Sequence, residues 1–275
     1  IISEDIMIIS VIGNGSIGTR HIKGLSLLKD ELEIKEIRGF DTNPERMDLA
    51  RKENSDVLFT NSIESAIEGT DVVFICVPTS LHIPIYEKIN SLGSFHLFIE
   101  KPLSHTIDGC EKMIFDQKNK GKHVAVGYML HHHPILLRAK EIVASNLLGR
   151  VISVRAEAGY FLPLWHPWED YRDFYMSWKT GGGGAVLDIS HEIDYLQWMF
   201  GDIEEVQGLL GHYSELDISC DDLCLAHFKF KNGIIGQFQL DLLQFEKSRY
   251  CKIIGTNGVL IFDIVHNTIT YNTKE

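Results

Sequence analysis

No segment of this 275-residue chain concentrates lysine or arginine, and its 26 basic residues stand against 38 acidic ones, for a formal net charge of −12. That balance lacks the basic electrostatic footprint of a nucleic-acid binder, so no nucleic-acid partner is expected. Long apolar runs are missing too. The longest, Val72 to Val77, is far too short to cross a bilayer, and no basic segment followed by a hydrophobic one opens the chain. No membrane association is expected, and the location is expected to be cytoplasmic. Cysteine is scarce: Cys76, Cys110, Cys220, Cys224 and Cys251 are odd in number and scattered, which argues against a disulfide framework and for reduced thiols. Cys220 and Cys224 have no second ligand pair nearby, so they read as ordinary core or strand cysteines rather than a zinc site. Nor is a metal expected at His131-His132-His133, because adjacent side chains diverge and no carboxylate accompanies them at metal spacing.

What is present suits a globular chain large enough for two domains: 44% of the residues are hydrophobic and 23% charged. Up to about Val126, short β-branched runs alternate with helix-length segments, the pattern of βαβ units around a parallel sheet. Strands are expected at Ile6 to Ile12, Ile34 to Phe40, Val57 to Phe59, Val72 to Val77, Phe95 to Ile99 and His123 to Val126. Helices are expected at Pro44 to Glu53, Leu81 to Asn90 and Thr106 to Lys120. The fold class is therefore α/β, a Rossmann-type doubly wound parallel sheet over residues 1–126, followed by an α+β domain over 127–275. In the second domain a helix near Ile135 to Leu147 leads to a strand from Val151 to Tyr160 and a long aromatic loop ending at Gly181 to Gly184. One continuous helix, Ala185 to Phe200, then precedes strands at Glu205 to His212, Leu223 to Lys229, Ile234 to Leu242, Arg249 to Ile254 and Val259 to Ile264. Short turns such as Lys231-Asn232-Gly233 favour an open, largely antiparallel sheet. The first six residues carry no functional expectation.

The most informative motif is Gly13-Asn14-Gly15-Ser16-Ile17-Gly18, which leaves an apolar strand and opens a helix-compatible segment. Gly13 permits the tight turn, Gly15 lets backbone approach a pyrophosphate, and Gly18 allows close helix packing. Asp41, at the end of the second strand, is placed to accept hydrogen bonds from both hydroxyls of an adenosine ribose. Its charge repels a 2′-phosphate, so NAD is expected in preference to NADP, with Arg46 the one nearby cation able to swing toward that phosphate. The same scaffold also serves other cofactors, so the fold alone does not select hydride chemistry.

Glu100-Lys101-Pro102, directly after the fifth strand, resembles the Glu-Lys-Pro motif of the glucose-fructose oxidoreductase/inositol dehydrogenase family. The resemblance continues in order through Val77-Pro78-Thr79 with His82, Gly127-Tyr128 through Pro134, and Ala185 to Asp194, similar to the family's active-site helix. It implies a nicotinamide-dependent oxidoreductase, cofactor contacts at Pro78, Thr79, His82, Glu100 and Lys101, and a homodimer or homotetramer. The chain is short for that family and ends at Glu275 after a strand-like run, so further terminal elements are expected beyond it.

Helix periodicity points to chemistry without the family. Ile189, Ile193, Leu196 and Phe200 make one apolar face, while Asp188, His191 and Tyr195 fall on another. Residues three apart are neighbours on a helix, so Asp188 is expected to orient or charge-stabilise His191 as a general acid/base pair, with Asp194 the alternative partner. Lys101 would stabilise a developing alkoxide and could relay its proton. The Asp-to-His spacing is one residue shorter than the family's usual one. The loop Leu162 to Arg172 is rich in aromatic and polar groups and is expected to act as a substrate lid, with an interface contact the competing reading. Tyr128, His132, Trp165, Tyr171, Arg172 and His191 are the expected substrate contacts, Arg172 for a phosphate or carboxylate. The expected activity is NAD-dependent hydride transfer at a secondary hydroxyl or ketone of a sugar, polyol or nucleotide-sugar, with nicotinamide between the domains. A dinucleotide-sensing regulator without turnover, or a different enzyme on the same scaffold such as a reductase of a non-sugar substrate, is the competing expectation.

Overall fold

Short β-branched runs separated by helical segments fold as βαβ repeats in the computed structural model, which describes residues 7–274. The chain divides into two units, Ile1–Gly127 and Tyr128–Glu275. The first contains β1 (Met7–Ile12), α1 (Ser16–Leu27), β2 (Ile34–Phe40), α2 (Pro44–Glu53), β3 (Leu58–Phe59), α3 (Ile63–Ile67), β4 (Val72–Ile75), α4 (His82–Ile89), β5 (His96–Ile99), α5 (Cys110–Asn119) and β6 (Val124–Val126). The expected start of the first strand at Ile6 lies outside the described residues.

The six strands form one parallel sheet in the order β3-β2-β1-β4-β5-β6. Apolar side chains stand on both of its faces: Val11 meets Ile22 and Leu25 of α1, and Val73 and Leu97 share a cluster with Tyr86, Ile89 and Met113 from α4 and α5. Ile12, Ile75 and Ile99 are in register across β1, β4 and β5. The ladder runs one step past the strand ends, where Gly13 N–H donates to Phe40 O (2.8 Å), Cys76 N–H to Ile12 O (2.8 Å), Glu100 N–H to Ile75 O (3.0 Å) and Gly127 N–H to Ile99 O (2.8 Å). Those bonds line up the segments that follow β1, β4, β5 and β6 along the carboxyl edge of the sheet. Sequence reading missed α3, whose five residues are too few to show a period, and started α5 four residues early. Gly109, with φ +77°, is the residue at which that helix begins.

The second unit contains α6 (Pro134–Ala144), β7 (Val151–Gly159), α7 (Ala185–Asp188), α8 (His191–Phe200), β8 (Ile203–Gly211), β9 (Leu223–Phe230), β10 (Ile235–Asp241), β11 (Ser248–Gly255), β12 (Gly258–Asp263) and β13 (Thr268–Thr273). Its seven-stranded sheet has the order β13-β12-β11-β7-β10-β9-β8. All neighbours are antiparallel except β7 and β10, which pair in parallel from Ser153↔Ile235 to Gly159↔Asp241. The Lys231-Asn232-Gly233 turn makes a hairpin of β9 and β10, and β10 then lies beside a strand reached only by a long crossover, a connection that permits parallel pairing. One sheet face carries the core, with Ala156, Phe230, Leu240, Ile253 and Phe262 packed with Leu136, Ala139 and Ile142 of α6 and with Leu196 and Phe200 of α8. On the other face a depression of about 1150 Å³ is lined by Arg155, Gln207, His227, Lys229, Ile235 and Lys252 among others, and it includes none of the acid–base residues expected from the sequence.

The expected single helix over 185–200 is two helices. α7 stops at Asp188, Ile189 turns out of helical geometry (φ −97°, ψ 29°), and α8 starts again at His191. α8 is fixed by the residue after His191. Glu192 is fully buried, and its carboxylate accepts from Arg249 Nε (2.7 Å) and Nη2 (3.0 Å), a bidentate pair joining α8 to β11. Burial opposes the Arg249 charge, yet Glu192 outweighs it and holds the guanidinium pKa above its ordinary value. Removing one partner of such a pair strands the other charge, so Arg249→Met is expected to cost about 3–5 kcal/mol. Urea unfolding would measure this, and adding Glu192→Leu should recover most of the loss; a single variant as stable as the parent would overturn the account.

Candidate functional site

The loop between β1 and α1 is shaped by two glycines. Gly13 has φ +95°, and a Cβ there would lie 2.5 Å from Cys76 O; a Cβ on Gly18 would lie 1.8 Å from Gly13 O. Gly15 differs, since a Cβ there meets nothing within 4 Å. The protein itself therefore does not demand a glycine at 15, and the space left is what a close-lying ligand backbone would use. Gly15 caps α1 without a side-chain hydrogen bond, and no acid stands in the first turn, where Ser16 is exposed and Ile17 half-buried. A helix N-terminus of that kind favours an anion, so these residues fit a dinucleotide pyrophosphate.

Asp41 is joined to the same loop. Its Oδ2 accepts from Asn14 N–H (2.7 Å) and its Oδ1 from Asn43 N–H (2.8 Å). Asn43 in turn caps α2, leaving Arg46 exposed in that helix's first turn. The Met47 sulfur accepts from both Asn14 Nδ2 and Asp41 N–H, each at 3.2 Å, a tie between α2 and the loop that no sequence signal announced.

Along the same edge, Pro78 and the buried Thr79 open a short 3₁₀ turn, Thr79–Leu81. His82 follows and is 1% exposed. Its Nε2 lies 2.9 Å from Val77 O, and its Nδ1 lies 3.0 Å from Pro102 O and 3.3 Å from Leu103 O. The ring is thus a strut between the turn after β4 and the turn carrying Lys101. Glu100 is held from another side: its Oε1 lies 2.6 Å from His21 Nε2, and its Oε2 accepts from Lys101 N–H (3.2 Å). His21 sits on α1 with its ring against Phe74 and Phe98 (centroids 5.4 and 5.0 Å). This residue links the glycine loop's helix to the Glu-Lys-Pro turn, and sequence reasoning missed it. Its place three residues after Gly18 was the available signal.

In the second unit, Tyr128 presents its ring edge to His191 (centroids 5.5 Å) and its hydroxyl to Ser190 Oγ (3.4 Å), and burial raises the phenol pKa. His191 is 7% exposed. The break at Ile189 puts Asp188 and His191 on two helices where one was expected. Asp188 accepts a hydrogen bond from the Tyr160 hydroxyl. Asp194, the alternative partner, pairs with His131 (Nε2 to Oδ2, 2.7 Å), whose ring stacks on Trp198 at 4.5 Å. Burial pushes the Asp194 carboxyl above its ordinary range while His131 pulls the other way. Of the histidine triplet, His132 is exposed and His133 caps α6 by accepting from Ile135 N–H (3.3 Å), so two of the three are built into the fold rather than solvated. Tyr195 lies in the core against Phe262.

The segment expected to be a lid opens with the 3₁₀ turn Leu162–Leu164 and runs into another, Tyr171–Asp173, with Tyr175–Ser177 and Lys179–Gly181 following it. Trp165 stacks on Tyr160 at 4.3 Å, and the Tyr171 hydroxyl accepts from Asp217 N–H (3.1 Å). Arg172 is exposed and closes on Asp170 of its own loop, which pulls that carboxyl down to about 2. Its guanidinium is therefore already engaged by a carboxylate. Among the described residues, no group of three or more His, Cys, Asp or Glu side chains gathers at metal-binding distance, and no helix is long and apolar enough to cross a membrane.

Residues 7–128 match a family model described as an oxidoreductase family with an NAD-binding Rossmann fold, and residues 136–261 match the GFO/IDH/MocA C-terminal domain. The chain belongs to the Gfo/Idh/MocA family. It is similar to an oxidoreductase of Formosa agariphila, 25% identical over 77% of this chain and 66% of the relative. It is also similar to an inositol 2-dehydrogenase/D-chiro-inositol 3-dehydrogenase of Shouchella clausii, 26% identical over 92% of this chain and 70% of the relative. The chain spans 50% to 66% of the length of the first three curated relatives. Among solved structures it resembles the WlbA dehydrogenase of Bordetella pertussis in complex with NADH and UDP-GlcNAcA, with a TM-score of 0.85 at 21% identity over 98% of this chain and 83% of the other. At that identity the likeness is one of fold.

Within this Gfo/Idh/MocA frame, His82 gives a direct pH test. Burial holds its pKa below the ordinary 6.5 even though the surrounding carbonyls favour the charged ring. The unfolded chain therefore takes up a proton that the folded one resists. Stability from this group is full above about pH 6.5 and is lost as pH falls from there toward the lowered folded value. Urea midpoints measured from about pH 7.5 to about pH 5 should fall more steeply in the parent than in His82→Phe; parallel curves would show that the ring carries no such linkage.

Proposed function

We propose that this chain is an NAD-dependent oxidoreductase that moves a hydride between nicotinamide and a secondary hydroxyl or ketone of a sugar, polyol or nucleotide-linked sugar. The observation that carries the reading is the shared carboxyl edge of the parallel sheet. There the backbone bonds after β1, β4 and β5 draw the Gly13–Gly18 loop, the Pro78–Thr79 turn and Glu100-Lys101 into one line beside Asp41. Ligands of open α/β sheets bind at that edge, where the order of strands reverses about β1.

In this reading residues 1–126 hold the cofactor and residues 127–275 supply substrate recognition and self-association. The N-terminal turn of α1, with Gly13 to Gly18, takes the pyrophosphate. Asp41 keeps lone pairs for both ribose hydroxyls after its two backbone bonds, and its charge disfavours a 2′-phosphate. Arg46, exposed on α2, is the residue through which NADP would be tolerated. Pro78, Thr79 and Glu100 shape the nicotinamide end, with His82 bracing the turn from behind. When bound, nicotinamide supplies the hydride-accepting or hydride-donating carbon. Lys101 stabilises negative charge on the substrate oxygen, His191 takes or returns the hydroxyl proton, and Asp188 favours the protonated form of that base. Tyr128, His132, Trp165 and Tyr171 are the proposed substrate contacts, with Arg172 available only by giving up Asp170.

Self-association as a homodimer or homotetramer is part of the proposal. The outer face of the second sheet exposes Leu209 (67%) and Ile235 (55%), apolar surface that a second copy would cover.

The test is reduced-cofactor absorbance with NAD and a panel of polyols, free sugars and nucleotide-linked sugars, alongside Lys101→Ala and His191→Ala. One substrate class should be oxidised, and each variant should lose about 10²- to 10⁴-fold in kcat. NAD binding without turnover in either direction would overturn the enzymatic reading.

A further inference from the structure

The geometry points to Tyr160 as a positioning residue that keeps Asp188 ionised and aimed, an inference that rests on the role given to Asp188 above. Helix periodicity had set Asp188 one turn before His191, but α7 ends at Asp188 and the chain bends before α8 begins. The carboxylate is met by the hydroxyl of a residue just past the end of β7.

Tyr160 is well suited to hold it. The residue is 9% exposed, its ring lies against Trp165, and its backbone N–H donates to Asp241 O (3.2 Å). Asp241 is itself buried and tied down by Leu243 N–H (3.1 Å), Gln239 Nε2 (2.9 Å) and Gln244 Nε2 (2.8 Å). The phenol is thereby referenced to the parallel β7–β10 pair, not to a free loop. Burial first, and the Asp188 charge second, push the Tyr160 pKa well above its ordinary value. The proton stays on the phenol and is donated to the carboxylate, which favours the charged carboxylate.

Other charged and titratable groups also act around the pair. Arg249 acts on Tyr160 but is held by Glu192. Cys220 near Asp188 has its thiol pushed up to about 12, chiefly by burial, so it stays neutral. Asp221 turns Oδ2 to Val186 N–H (3.0 Å) at the start of α7, and Tyr175 beside Tyr160 is a second phenol. His191 is the base this charge is proposed to serve.

The experiment compares Tyr160→Phe, which keeps the ring and its stacking, with Asp188→Asn. In protein carrying ¹³C-labelled aspartate, the resonance missing from Asp188→Asn reports the Asp188 titration. Tyr160→Phe should raise that midpoint by about one to two pH units, the equivalent of one hydrogen bond to a charged group. The acidic limb of kcat/KM should move up with it, and kcat should fall more than KM changes. As a reciprocal reading that does not need Tyr160→Phe to fold, Asp188→Asn should lower the Tyr160 pKa, followed by tyrosinate absorbance. An Asp188 midpoint unmoved by Tyr160→Phe, or a phenol titration unmoved by Asp188→Asn, would overturn the pairing. A shifted midpoint with full kcat in Asp188→Asn would leave the pairing intact and overturn the catalytic role of Asp188.

Discussion

Between Gly18 and the carbonyl of Gly13 there is no room for even one more carbon, and the first unit is organised around that contact. With α1 packed this closely under the loop, the Asn14 N–H meets the carboxylate at the end of β2 and the helix's uncapped first turn faces outward. The strand ends then add their own constraint, since each successive backbone bond past β1, β4, β5 and β6 leaves the next segment nowhere else to go. Position in the sheet, more than any single side chain, brings Gly15, Asp41, Pro78 and Lys101 to one edge. His21 and His82 reinforce this arrangement from beneath, one by holding Glu100 and the other by bracing the Lys101 turn.

The second unit relies on charges kept away from water. Glu192 has no solvent access and is acceptable there only because Arg249 meets both of its oxygens. That pair sets where α8 begins, and so where His191 stands. Gly184 does similar work at the start of α7: with φ +118° and the Asp221 carboxylate 2.3 Å from where a Cβ would be, only glycine admits the turn. The two helices therefore have separate anchors, which is why Asp188 and His191 do not obey one helical period.

Much of this was legible in the sequence, and the exceptions have physical reasons. The parallel sheet could be read because each strand is an apolar run bounded by turn residues, and the glycine loop because its spacing has a steric cause. Asp41 was found because it directly follows a strand, and Lys101 because Glu100-Lys101-Pro102 resembles the family's motif. The broken helix was not legible, since the apolar spacing of Ile189, Leu196 and Phe200 is that of an unbroken helix and the burial of these three residues satisfies it all the same. Nothing local marked Tyr160 as a partner for Asp188, or Met47 as an acceptor for Asn14 and Asp41. Such contacts depend on where distant segments pack. The parallel pairing of β7 with β10 was hidden for the same reason, because a hairpin turn on one side of β10 says nothing about the neighbour on its other side.

That parallel pair has a consequence for how this protein can vary. Every residue from Tyr160 to Ile234 lies in a single excursion that leaves one strand and returns to the strand beside it. The aromatic segment, both short helices, Asp188 and His191 all belong to it. Because the cost of closing such an excursion grows only slowly with its length, residues can be gained or lost within it while Ser153 stays opposite Ile235 and Gly159 opposite Asp241. The segments it carries can therefore be rebuilt over evolutionary time on a sheet whose register does not change, and a one-residue difference in spacing between Asp188 and His191 is a change of the kind this arrangement tolerates.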